Sequence, residues 1–163
     1  NKLYYQKIMK SLKYLIIFIL FVSCGYTPIY QTDEISKFKL GIINHSGDKK
    51  IGRELLNNLQ RFKDKKSNNI FDINLTTIKR ESIVSKDKKG NPSSYKIELE
   101  VNLDLISKNN DKKFSKKFIK ETTYNSIDDN FKQNRYKKKL EKNLTSQILQ
   151  EINNFFGVIQ NDL

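Results

Sequence analysis

Tryptophan is absent from this 163-residue chain, and cysteine, histidine and methionine occur once each, as Cys24, His45 and Met9. A single cysteine excludes an intramolecular disulfide, and with one histidine there is no Cys/His metal cluster. The six glycines are dispersed, with no glycine-rich nucleotide loop. His45 lies among Asn44, Ser46, Gly47 and Asp48, a turn-forming cluster, and is expected to be a solvated loop residue. Acidic side chains are the scarcer charge, 18 against 31 basic ones, and only four of the basic residues are arginine. The bidentate fork favoured in nucleic-acid recognition is therefore rare, which weakens that reading of a basic chain. Long hydrophobic runs are also missing. The longest, Tyr14 to Val22, would be a helix of about 14 Å, against a hydrocarbon core of about 30 Å.

That run has the pattern of a secretory signal. Lys10 and Lys13 precede it, and Ser23-Cys24-Gly25 ends it with small residues. Translation is expected to start at Met9, so that residues 1–8 are an over-called start and residues 1–23 are the signal. Phe21-Val22-Ser23-Cys24-Gly25 resembles the lipobox of bacterial lipoproteins, with Phe21 in place of the usual leucine. The resemblance implies that Cys24 becomes the mature N-terminus and carries a covalent diacylglycerol and an acyl chain. Each buried methylene contributes about 0.8 kcal/mol, so several chains anchor a domain durably. Beyond this lipid no cofactor or metal is expected. Removing the signal takes away four lysines and no acids, leaving a net charge of +9 from the original +13. Biased genome composition could account for part of the lysine excess.

Residues 24–36 read as an extended leader, with Pro28 holding Thr27 out of the helical region. A single domain is expected over residues 37–157, followed by a tail at 158–163. Within it, Phe38, Leu40 and Ile42 alternate as a first strand, and Asp48 can cap a helix whose apolar stripe is Ile51, Leu55, Leu56, Leu59 and Phe62. Phe71, Ile73, Leu75 and Thr77 form a second strand, with a bulge or an end near Glu81. Residues 85–94 make a hairpin tip bearing Lys86, Lys88 and Lys89. Tyr95, Ile97, Leu99, Val101, Leu103 and Leu105 alternate with Lys96, Glu98, Glu100, Asn102 and Asp104, so one face is buried and the other wet. A fourth strand carries Phe114, Phe118, Thr122 and Tyr124. From Asp128 the period becomes helical through Phe131, Tyr136, Leu140, Leu144, Ile148, Ile152 and Phe155, with Lys137 and Glu141 outside that stripe and a stop at Gly157. The fold class is α+β: a two-layer sandwich of order β-α-β-β-β-α, with a four-stranded, mainly antiparallel sheet and two amphipathic helices on one face.

Three segments carry a family resemblance. Cys24-Gly25-Tyr26-Thr27-Pro28-Ile29-Tyr30 is similar to the opening of the lipopolysaccharide-assembly lipoproteins of Gram-negative bacteria. Ile51 to Leu59 is similar to their first helix, and Glu121-Thr122-Thr123-Tyr124-Asn125 to the stretch before their last. The resemblance implies the same small α+β arrangement. It also implies an outer-membrane lipoprotein, facing the periplasm, that supports assembly of the β-barrel inserting lipopolysaccharide and plugs its lumen. The partners would be that barrel, lipopolysaccharide and the membrane holding the lipid anchor, with no nucleic acid. Lys86, Lys88 and Lys89 are the candidate lipopolysaccharide contacts, and Lys112, Lys113, Lys116 and Lys117 form a second basic patch. The alternative is a free-standing lipoprotein binding an anionic ligand or the cell wall. Glu98, Glu100 and Asp104 share a strand face without a His, Ser or Cys constellation, so no catalytic residue is assigned and an enzyme is not expected.

Overall fold

The computed structural model describes residues 37–163; the signal segment, Cys24 and the leader lie outside the described residues. The chain runs β1 (Lys39–Gly47), α1 (Lys49–Leu59), a 3-10 turn (Gln60–Phe62), β2 (Ile70–Lys86), β3 (Pro92–Ser107), β4 (Lys113–Asn125) and α2 (Asn130–Asn161). One sheet has the strand order β1-β2-β3-β4. β1 and β2 are parallel because α1 carries the chain back across the sheet between them. The two tight hairpins make β2, β3 and β4 antiparallel.

Alternation along β3 decides where the core sits. Ile97, Leu99, Val101, Leu103 and Leu105 are fully buried, flanked by Phe71, Ile73 and Leu75 of β2 and by Phe118 and Tyr124 of β4. Ile51, Leu55 and Leu59 of α1 and Leu144, Ile148, Ile152, Phe156 and Ile159 of α2 close over that face. Each such side chain contributes roughly 1.5–3 kcal/mol on leaving water. An aromatic cluster fastens one end: Phe38 meets Phe71 and Phe156 edge to face at 5.7 and 5.4 Å, and Phe62 meets Phe156 at 4.9 Å. The strand entering β1 and the ends of both helices are thus held together.

Both helices begin on an aspartate. Asp48 Oδ1 accepts from the N–H groups of Lys50 and Ile51 at 3.0 Å, and Asp129 Oδ1 from those of Phe131 and Lys132 at 2.9 and 3.0 Å. Burial raises the Asp48 carboxyl, but the N–H of Ile51 and the charge of Lys79 outweigh it and hold the group below the ordinary range.

Five expectations need correction. A bulge between Leu40 and Ile43 turns Ile42 out to 56% exposure and puts Ile43 against the core. β1 does not end at Asn44 but continues to Gly47, whose φ of +97° brings it against the Thr77 carbonyl, where a Cβ would sit 1.9 Å away. His45 consequently points inward, its Nε2 hydrogen-bonded to Thr77 Oγ1 at 2.9 Å and its ring against Gly52, instead of lying in a solvated loop. β2 does not end at Glu81 but continues to Lys86, because β3 still pairs with it, and the bulge expected near Glu81 comes at Val84, between Ile83 and Ser85. α2 likewise runs through Gly157 to Asn161, since Ile159 is still buried on its apolar face.

Candidate functional site

The hairpin tip between β2 and β3 is built by one side chain. Asp87 Oδ1 accepts from the backbone N–H groups of Lys89 and Asn91 at 2.8 and 2.9 Å, and Asn91 Nδ2 donates to Oδ2 at 3.2 Å. The Asp87 carbonyl accepts from Gly90 N–H at 3.0 Å, with Gly90 at φ +86°. Donation from the Asn91 N–H, with the other local donors, holds the Asp87 carboxyl below its usual range. Its oxygens are engaged by the turn, and its single negative charge stands against three lysines. Lys86, Lys88 and Lys89 are exposed, and among the described residues none of them is ion-paired.

The second basic patch differs. Lys113 bridges Asp104 at 3.6 Å, Lys117 bridges Glu100 at 2.8 Å, and Lys116 lies over the rings of Phe118 and Phe155 at 5.7 and 5.1 Å. Among the described residues, only Lys112 of that group stays unpaired. Glu100 is 6% exposed on the outer face of the sheet, where Lys117, Arg80 and Asn102 donate to it. Those donors lower its carboxyl to about 2, so the face is a self-compensated lattice.

Beyond Ile78 strand β2 loses its cover, although Leu99, Ile97 and Tyr124 on the neighbouring strands stay buried. Ile83 and Val84, beside the bulge near the end of β2, are 50% and 55% exposed. At the start of α2, Phe131 is 69% exposed beneath the Arg135 guanidinium, and Tyr136 is 43% exposed. Periodicity assigned both aromatics to the apolar stripe, and the structure corrects this: burial along α2 begins only at Glu141. Tyr95 stacks on Tyr124 at 5.3 Å, and Tyr136 meets Tyr124 edge-on at 6.2 Å. Tyr124 donates to Glu81 at 2.7 Å, and Glu81 pairs with Lys137 of α2. This end therefore joins exposed apolar groups to lysines that form no ion pair among the described residues.

Between the helices, a groove of about 290 Å³ is lined by Lys50, Ile51, Glu54, Lys138, Glu141, Lys142 and Thr145. Its floor is Glu141, 5% exposed, which periodicity placed outside the apolar stripe. Lys50 and Lys79 occupy its two oxygens at 2.9 and 3.2 Å. Burial raises the Glu141 carboxyl, and the two lysines outweigh that and lower it. The groove is thus braced by an internal ion network, not open to an anion. Glu141 could have been read as inward from Thr145 and Ile148, four and seven residues on, which share its side of the helix.

No protein-family model matches the chain, and no curated protein does. Solved structures do share its fold. The rare lipoprotein B of Shewanella oneidensis superposes with a TM-score of 0.60 at 15% identity, over 76% of this chain and 97% of that one. The uncharacterized lipoprotein B of Nitrosomonas europaea gives 0.53 at 14% identity, over 76% and 86%. A minor lipoprotein of Acinetobacter baumannii gives 0.51 at 11%, over 78% and 95%. Among the described residues, no helix is long and apolar enough to cross a membrane.

Proposed function

We propose that this chain is an outer-membrane lipoprotein, anchored through Cys24 on the periplasmic side, that supports assembly of the lipopolysaccharide-inserting β-barrel and plugs it. Its role is structural and non-catalytic. The observation that carries the reading is the hairpin tip, where Asp87 is committed to the turn and Lys86, Lys88 and Lys89 keep their charge available. Lysine is an adequate point-charge partner for phosphate, and these three lie at the end of a stiff two-stranded stem. Phosphates of lipopolysaccharide are the ligand this arrangement suits. The lipobox around Cys24 and a fold shared with bacterial lipoproteins support the same reading. Among basic groups elsewhere, Lys113, Lys117, Lys79 and Arg80 already serve carboxylates of the domain. Depletion of the protein tests the assembly role. The barrel should then accumulate in a misassembled, protease-sensitive form; a normally assembled barrel in depleted cells would refute it.

A further inference from the structure

The upper half of β2 is open along its edge. β1 pairs with β2 only from Ile70 to Thr77, and the Asp48 N–H on the Thr77 carbonyl, at 3.0 Å, closes that ladder. From Ile78 to Ile83 the strand continues in regular register with β3 on one side, and beyond a bulge at Val84 it reaches Lys86; among the described residues no strand lies on the other side. Successive residues of a strand turn their backbone groups alternately to its two sides. Since the Thr77 carbonyl faces β1, the N–H and C=O of Lys79, Glu81 and Ile83 face the open side. An unpaired edge of this length is a template for an added strand.

The side chains narrow what could be added. Lys79, Arg80 and Glu81 are already ion-paired within the domain, which leaves the apolar pair Ile83 and Val84 and, beyond them, the lysines of the tip. We infer that this edge receives an extended segment of another protein, pairing with β2 from Ile78 to Ile83. That segment is apolar where it lies beside Ile83 and Val84, and acidic at the end that reaches Lys86, Lys88 and Lys89. A second copy of this chain fits less well, because it would bring another strongly basic domain, +9 once the signal is removed, to the same lysines. The inference does not require the partner to be a barrel.

The test is photo-cross-linking in native envelopes, with a photoreactive residue replacing Ile83 or Val84 and, as control, Ile119 on β4. Ile83 and Val84 should cross-link to neighbouring residues of one extended segment in one polypeptide, and Ile119 should not. Adducts to lipid alone, products scattered over unrelated proteins, or no product at either β2 position would overturn the inference. In a second arm, the yield from position 84 is compared between Ile83→Pro and Ile83→Ala. The proline removes an edge-facing N–H that β3 does not use, so the yield should fall about tenfold, as for the loss of one or two hydrogen bonds. The alanine should lose much less; equal losses would mean that the side chain, not the open edge, makes the contact. A barrel that co-purifies while positions 83 and 84 stay silent would defeat this inference alone. Ordered cross-links to a protein that is not a barrel would defeat the assembly role alone.

Discussion

Lys79 of β2 and Glu141 of α2 meet beneath the helices, Nζ to Oε1 at 3.2 Å, while Lys50 of α1 holds the second oxygen at 2.9 Å. One carboxylate therefore ties the sheet to both helices. Asp48, the cap of α1, lies 3.7 Å from the same Lys79 ammonium, so capping and bracing share a cation.

Neutralising that carboxylate should weaken the whole sandwich. Glu141→Gln keeps the shape but leaves Lys79, itself only 30% exposed, without its main counter-charge. The expected loss is about 1.5–3 kcal/mol, the scale of hydrogen bonds to charged groups. Urea denaturation would show a lower midpoint at unchanged slope; an unmoved midpoint would mean that the network contributes nothing net.

Acid should act through the carboxylates with lowered pKa values. Glu100 is lowered to about 2 by Lys117, Arg80 and Asn102, and Asp48, Glu81 and Glu141 are lowered as well. In the unfolded chain these groups take up protons at their ordinary, higher values, so their contribution is complete above those values and disappears as pH falls through the folded ones. Thermal midpoints should be level near neutrality and decline from about pH 4.5 toward 2. Glu100→Gln should flatten the lower part of that decline. A curve identical to that of the unsubstituted protein would remove Glu100 from the account.

Gly52 and His45 share one space. A Cβ on Gly52 would lie 2.0 Å from the imidazole, so Gly52→Ala must expel the ring and break its bond to Thr77. Overpacking of this kind costs about 1–3 kcal/mol. In the double variant with His45→Ala the cost should be well below the sum of the two single changes, the signature of direct contact. Additive losses would contradict the packing described here.

Charge reversal at the tip, Lys86→Glu with Lys88→Glu and Lys89→Glu, should weaken binding of purified lipopolysaccharide by the full-length protein while leaving its unfolding free energy within about 0.5 kcal/mol of the original. Unchanged binding would exclude these lysines as the contact.

The strand-helix order and most of the core were legible because period-two and helical patterns were clean: β3 shows its buried face residue by residue, and Asp48 its cap. What escaped depended on tertiary partners. The bulge after Leu40 reverses the phase of a strand too short to show the slip, so Ile42 looked buried and His45 looked loose. Glu141 resembled any surface glutamate until Lys50 and Lys79, 91 and 62 residues away, met it. Gly157 offers a stop signal that burial of Ile159 overrides. At the tip, composition showed seven candidate lysines in two patches; only the contacts of Lys113, Lys116 and Lys117 separate committed cations from free ones.

The assembly role is tested most directly by purifying the lipidated protein, tagged after Leu163, from its native membranes in mild detergent and identifying what remains bound by mass. The account predicts one large β-barrel protein in stoichiometric amount. A protein that elutes alone, with lipidation intact, would contradict it.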